Sequence, residues 1–244
     1  MTDRLLAVDI GATNIKYCLV EADGTLVEAP RRRPTPYPCT PERLVSVVAE
    51  RIRRAGVTRA GVGFPGEFAD GRVLAPGNLA RPGGVHTPVD PALDAYCRGY
   101  ELQRTLCEAT HADVRVVNDA SLAALGASEG VGREVVVTLG TGLGLALVVS
   151  GVLTRVRDVG AAAFDEGRTF DQALGERARA EDEAIWLKDV VRAIRGFVEE
   201  FAATSVHLAG GNARRVTPEI FSDLDVAVVI DGNFAPLRGA ARLF

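Results

Sequence analysis

Three short stretches place carboxylates, amides and glycines at the ends of apolar runs, where they could handle phosphate and activate an alcohol. The first is Asp9-Ile10-Gly11-Ala12-Thr13-Asn14, directly after the apolar run Leu5 to Val8. Gly11 can adopt a positive φ and lets the backbone approach a ligand, successive N–H groups in such a turn converge into an anion-holding nest, and the Thr13 hydroxyl adds a donor. Asp9 could hold Mg2+ through water. An ordinary hairpin turn, with Ile15 to Val20 as the returning strand, uses the same residues. The second stretch, Leu139-Gly140-Thr141-Gly142-Leu143-Gly144, lies between the strand-like runs Val135 to Leu139 and Leu145 to Val149. The third is Asn118-Asp119, which ends the buried run Val114 to Val117 ahead of an Ala/Leu-rich helix. A hydroxyl is a poor nucleophile at neutral pH, so a phosphoryl acceptor needs a carboxylate to take its proton, and Asp119 fits that role. Taken alone, an Asp before an apolar helix is more often an N-cap, and Asn118 reads equally as a turn residue.

Both glycine turns follow one apolar strand and lead straight into another, so they read as tight β-hairpins. A Walker-type loop or a dinucleotide fold would open a helix instead. The positioning elements follow from periodicity and turn signals. Strands at Leu5 to Asp9, Ile15 to Glu21 and Thr25 to Ala29 form a meander. A helix capped by Thr40-Pro41 and stopped by Gly56 comes next, then a strand at Arg59 to Phe64 ending in Pro65-Gly66. Asp70-Gly71 turns a hairpin, Leu74 to Gly84 reads as loop, and one helix runs from Asp90-Pro91 to Glu108. After the helix Ser121 to Glu129 the outline repeats: strands Glu134 to Leu139, Leu145 to Val149 and Val152 to Arg155, helices Phe170 to Ala180 and about Glu183 to Ala202, a strand Ser205 to Ala209, a Gly210-Gly211 turn, a strand Val226 to Ile230 and a closing helix Pro236 to Leu243. This predicts an α/β protein of two similar lobes facing across a cleft, residues 1–119 and 120–235, with the last helix packing back on the first.

The chain has 244 residues, 47% of them hydrophobic and 25% charged, which suits a globular protein with a real core. A net charge of −4 gives no basic footprint for nucleic acid or an anionic membrane. Arg31-Arg32-Arg33 is the single basic run and, with prolines following, reads as a solvated loop or, alternatively, as a face for a polyanion. Lys16 and Lys188 are the only lysines; Lys16 could approach a donor phosphate or stay solvated. The four cysteines form no CxxC pair and read as reduced thiols. With no apolar run of membrane-spanning length and no signal-peptide pattern, a cytoplasmic location is expected.

These segments resemble the sugar kinases of the actin/hexokinase superfamily, and most closely the ROK family in its short polyphosphate/ATP glucokinase branch. Asp9 to Lys16 resembles the first phosphate motif and Gly63-Phe64-Pro65-Gly66 the strand-end Pro-Gly. Pro76-Gly77-Asn78-Leu79 is similar to the sugar-contacting Asn segment and Val117-Asn118-Asp119-Ala120 to the catalytic motif. Gly140-Thr141-Gly142 resembles the second phosphate motif and Leu208-Ala209-Gly210-Gly211 the adenosine-side turn. The resemblance implies two actin-like (ribonuclease H-like) lobes with mixed sheets flanked by helices around a central cleft, and transfer of a phosphoryl group from Mg-ATP or polyphosphate to a sugar hydroxyl. It implies Asp119 as base, with Gly66, Asn78, Asn118, Asp119 and Asp158 on the sugar. Asp9, Gly11, Ala12, Thr13, Asn14, Lys16, Gly140, Thr141, Gly142, Gly210 and Gly211 would serve the phosphates and nucleotide, in a homodimer.

The chain departs from the family where Glu-x-Gly-His holds the sugar near its C1/C2 end: here stand Asp158-Val159-Gly160-Ala161. A shortened acid and a missing imidazole relax or change selectivity at that end, which leaves glucose, another hexose or a cyclitol as acceptors. Arg81-Pro82-Gly83-Gly84 replaces an aromatic that often follows the Asn loop. The family's zinc cysteines and its DNA-binding helix-turn-helix are not found. A sugar- or nucleotide-binding protein that has lost turnover is the rival reading, disfavoured because binding alone needs no base.

Overall fold

In the computed structural model, residues 4–154, 156 and 159–244 are described. The chain divides into two compact units, Met1–Leu122 with Pro236–Phe244, and Ala123–Ala235. Along the first run β1 (Leu5–Ile10), β2 (Asn14–Val20), β3 (Arg31–Pro34), α1 (Pro41–Ala55), β4 (Arg59–Phe64), the hairpin β5 (Glu67–Ala69) and β6 (Arg72–Ala75), α2 (Pro91–Cys97), α3 (Leu102–Thr110), β7 (Asp113–Asn118) and the start of α4 (Asp119–Ala127). Its sheet has the order β3-β2-β1-β4-β7, with β1, β4 and β7 parallel and β2 and β3 antiparallel to their neighbours.

The second unit holds β8 (Arg133–Leu139), β9 (Leu143–Val149), β10 (Val152–Thr154), β11 (Ala163–Asp165), β12 (Arg168–Thr169), α5 (Phe170–Leu174), α6 (Glu176–Glu181), α7 (Glu183–Phe201), β13 (Ser205–Ala209) and β14 (Ala227–Gly232), and leads into α8 (Ala235–Gly239). Its sheet order, β10-β9-β8-β13-β14, repeats the pattern of the first, with the two hairpins antiparallel and β8, β13 and β14 parallel. The molecule is therefore α/β with two mixed five-stranded sheets flanked by helices, the expected class.

Strand alternation sends successive side chains to opposite faces, so each sheet builds two cores. In the first unit Leu6, Val8 and Ile10 meet Leu44, Val48 and Ile52 of α1 on one face. Leu5, Ala7, Cys18 and Val20 meet Leu122, Leu237 and Ala240 on the other. In the second, Val135 and Val137 pack on Trp186, Val190 and Ile194 of α7, while Val136, Ala146 and Val148 face Ala123, Ala124 and Ala127. Fully burying one such aliphatic side chain stabilises by about 1.5–3 kcal/mol. Helix α1 has the expected ends: Thr40 accepts the Arg43 N–H, Pro41 opens the helix, and Gly56 closes it at φ 65°.

Five segments differ from the sequence reading. Thr25 to Ala29 is no strand; only a Val20–Leu26 bridge forms, and the third strand is the arginine run itself, paired with Asn14 to Tyr17. Charged residues suit an edge strand, so the basic run misled as a loop signal. The helix expected from Asp90 to Glu108 breaks after Cys97, because Gly99 (φ 76°) donates to Val73 O and Tyr100 O accepts from Val73 N–H, pairing the segment with β6. The helix expected over Phe170 to Ala180 breaks at Gly175, and Leu74 to Gly84 begins in the end of β6 and holds a 3-10 turn, Gly77–Ala80. The closing helix is α8 followed by a 3-10 turn, Ala240–Leu243. Ala240 lies so close to Gly61 that a Cβ there would come within 2.8 Å of it.

Candidate active site

Parallel pairing sets Asp9 beside Gly63 and Gly63 beside Val117. The residues just beyond, Gly11 to Asn14, Pro65-Gly66 and Asn118-Asp119, therefore leave the first sheet along one carboxyl edge, where open α/β sheets place ligands. The β1–β2 turn is a hairpin, closed by the Gly11 N–H donating to Asn14 O at 3.0 Å. Gly11 is required for closeness rather than handedness: its φ is not in the positive region, and a Cβ would lie 2.9 Å from Asn14 O. The expectation of a positive φ there is corrected accordingly.

Asn118 takes the capping duty. Its Oδ1 accepts the N–H groups of Ala120 and Ser121 at 2.9 and 3.2 Å, and its Nδ2 donates to Gly66 O at 2.9 Å. One amide hydrogen of Asn118 stays uncommitted by these bonds. Asp119 is the first residue of α4, half-buried, with one carboxylate oxygen accepting the Ala120 N–H at 2.8 Å. Gly66 packs against the Ala75 carbonyl, which brings the β4 end to the β6 end and so to Asn78. Asn78 Oδ1 accepts from Arg81 Nε at 3.0 Å, and Arg81 also reaches Thr87 O. Arg81 thus fixes the Asn78 amide, a role that sequence reading did not assign.

Asp9 is buried at 7% exposure, and its Oδ2 pairs with Lys16 Nζ at 3.1 Å. Arg32 stands next to Lys16 in the β2–β3 register, so Asp9, Lys16 and Arg32 form a cross-strand row on one face. Among the described residues no three acidic, histidine or cysteine side chains gather as metal ligands. Asp9 is the acidic side chain on this edge that could hold Mg2+ through water.

In the second unit β8 and β13 end together, with Thr138 beside Ala209. The turn at Gly210 (φ 91°) presses on the Leu139 carbonyl, and Asn212 N–H donates to that oxygen at 3.0 Å. Asn212 Nδ2 and the Glu176 N–H both donate to Gly140 O, at 3.2 and 2.9 Å. Asp171 Oδ1 accepts the Leu143 N–H at 2.8 Å and lies against Gly142 and Gly160, where any Cβ would clash. Gly140 and Gly211 meet nothing within 4 Å of an added Cβ, so space stands open beside both turns. Thr141 is exposed. A hydrogen bond from Arg179, with a smaller contribution from Asn212, holds the Glu176 carboxyl below its ordinary range against the opposing effect of burial. Asp171, Glu176 and Asn212 were not legible as site residues because their partners lie far off in sequence. The Gly175 break, by admitting a new helix start, was the available signal. Asp158 lies outside the described residues.

The sequence profile of the ROK family matches residues 5–161. The chain is 27% identical over 223 residues to the polyphosphate glucokinase of Mycobacterium leprae, covering 87% of this chain and 64% of that protein. It is 33% identical over 156 residues to an N-acetylmannosamine kinase of Escherichia coli (strain SE11), covering 61% of this chain and 48% of the relative. It thus spans less than two thirds of the length of these relatives. Among solved structures, an inorganic polyphosphate/ATP-glucomannokinase from Arthrobacter sp. strain KM matches with a TM-score of 0.79 at 25% identity, over 98% of this chain and 97% of that one. A ROK family glucokinase from Streptomyces griseus, in complex with glucose and AMPPNP, shares the fold with a TM-score of 0.66 at 21% identity, over 98% of each chain.

Proposed function

The chain belongs to the ROK family, and from that premise we propose that it is a sugar kinase moving the terminal phosphoryl group of Mg-ATP to a hydroxyl of a hexose or hexose-like ring. The observation that carries this reading is the shared carboxyl edge of β1, β4 and β7, from which both the Gly11 hairpin and the Asn118-Asp119 pair leave the sheet. The acceptor oxygen forms a bond to phosphorus as the bond to the departing ADP oxygen breaks, and its proton passes to the Asp119 carboxylate. Asn118, Asn78 and Gly66 orient the ring. The amides of the Gly11 to Asn14 turn hold donor phosphate, Gly140 to Gly142 hold the phosphates from the second unit, and Gly210-Gly211 lie on the adenosine side. Mg2+, when bound, neutralises phosphate charge; Asp9 would keep it through water, with Lys16 alongside. Asp158 and Ala161 relax or change selectivity near C1/C2, so glucose, mannose, N-acetylmannosamine and cyclitols form the natural panel. A homodimer belongs to the same reading and is checked by light scattering.

Polyphosphate is a second donor reading, favoured by the Lys16–Arg32 row. Arg31 pairs with Glu28 and Arg33 with Glu50, whereas Arg32 is exposed and has no ion-pair partner among the described residues.

A coupled ADP-release assay over that panel tests the proposal, with Asp119→Asn beside wild type. The variant should lose about 10²- to 10⁴-fold in turnover while still binding nucleotide, because its amide takes no proton. Equal rates would remove the mechanism. Nucleotide binding without turnover on any acceptor would favour the inactive binding protein instead.

A further inference from the structure

We propose that Thr35 and Tyr37 are positioning residues that aim the first phosphate hairpin at the donor, a role that rests on reading residues 9–14 as a phosphate hairpin. Three consecutive carbonyls of this turn are held from one short segment after β3. Thr35 Oγ1 donates to Gly11 O at 2.7 Å, the Tyr37 hydroxyl donates to Ala12 O at 2.6 Å, and the Thr35 N–H donates to Thr13 O at 3.0 Å. A trans peptide is planar, and its C=O and N–H point in opposite directions. Anchoring the carbonyls of 11, 12 and 13 therefore turns the N–H groups of Ala12, Thr13 and Asn14 the other way. No described residue accepts the N–H of Ala12 or Thr13. A convergent set of unused amides is the arrangement that binds an anion.

The two anchoring side chains are themselves fixed. Thr35 is buried at 6% exposure. The Tyr37 ring lies against Gly84, where a Cβ would sit 3.3 Å from Cε2. Burial first, and then the neighbouring Cys39, push the phenol up to about 12 against the pull of Arg81, so it remains a donor at neutral pH. Gly84 belongs to the same loop as Arg81, which holds Asn78. One phenol thus bridges the sugar-side loop and the donor turn.

Tyr37→Phe removes only the hydroxyl, Thr35→Val removes the hydroxyl at nearly constant shape, and Thr35→Ser retains it. Steady-state kinetics with Mg-ATP and glucose, and calorimetric binding of inorganic tripolyphosphate, are measured for each, with urea midpoints in parallel. Tyr37→Phe and Thr35→Val should each raise the donor KM and weaken tripolyphosphate binding about 2- to 10-fold, with the glucose KM unchanged and Thr35→Ser close to wild type. A lowered urea midpoint with wild-type donor KM and tripolyphosphate affinity would overturn the proposal and leave a purely structural role. Wild-type protein that binds no tripolyphosphate would overturn it as well. If wild type binds tripolyphosphate but phosphorylates no hexose, and the variants bind it more weakly, the kinase reading fails while this one stands.

Discussion

Replacing His207 by phenylalanine probes the most deeply buried charged cluster in the molecule's second unit. His207, at 2% exposure, places Nδ1 2.9 Å from Asp231 Oδ2 and Nε2 3.3 Å from Glu134 Oε1. Glu134, at 1% exposure, also accepts the N–H groups of Glu129 and Gly130 at 2.6 and 2.8 Å. Burial opposes charge on the imidazole, but the hydrogen bond and attraction from Asp231, with Glu134 and Glu129 adding, outweigh it and raise its pKa. A raised folded-state value means that stabilisation is complete below the unfolded value of about 6.5 and fades as pH climbs through the folded one. Breaking a buried pair costs about 3–5 kcal/mol because a charge is left without its partner. The Asp231 side chain is 13% exposed, and the Glu134 contact is long, so the low end of that range applies. The single tryptophan, Trp186, is fully buried on α7 and donates to Leu174 O, so its fluorescence follows unfolding of this unit. Urea titrations at pH 6 should show His207→Phe destabilised by about 3 kcal/mol. The gap between the two proteins should narrow towards pH 9. A gap that stays constant from pH 5.5 to 9 would show that His207 carries no linked proton, and would refute the reasoning.

Gly142→Ala would drive a methyl into the Asp171 carboxylate. A stability loss of about 1–3 kcal/mol by Trp186 fluorescence and a raised ATP KM are expected. Arg32→Ala should weaken use of long-chain polyphosphate several-fold, roughly what losing one phosphate contact costs, and leave ATP kinetics unchanged. Parallel KM measurements with the two donors check this, and an equal effect on both would remove the Lys16–Arg32 row as a polyanion track.

Elements whose signals are local were legible in the sequence. The Thr40-Pro41 start and Gly56 stop defined α1 because caps act within one turn. The two glycine hairpins were legible because β-branched strands flank them directly. What escaped reading depends on distant partners. Gly99 and Tyr100 look helical until Val73 claims their hydrogen bonds. Thr35 and Tyr37 sit among prolines and read as loop, yet their bonds reach back 24 and 25 residues. Asp171 is similar: nothing around it in sequence suggests an amide 28 residues earlier. At Asn118-Asp119 the sequence offered Asp119 as the alternative cap, whereas the coordinates show Asn118 Oδ1 accepting the N–H groups of both Ala120 and Ser121.

The outermost strand of the first sheet is made of three arginines and a proline. An unpaired strand border invites a neighbouring molecule to extend the ladder, and dense like charge discourages it. Two copies meeting border to border here would oppose one cationic run to another. Extension of the ladder by a second copy at this margin is therefore disfavoured so long as the arginines keep their charge.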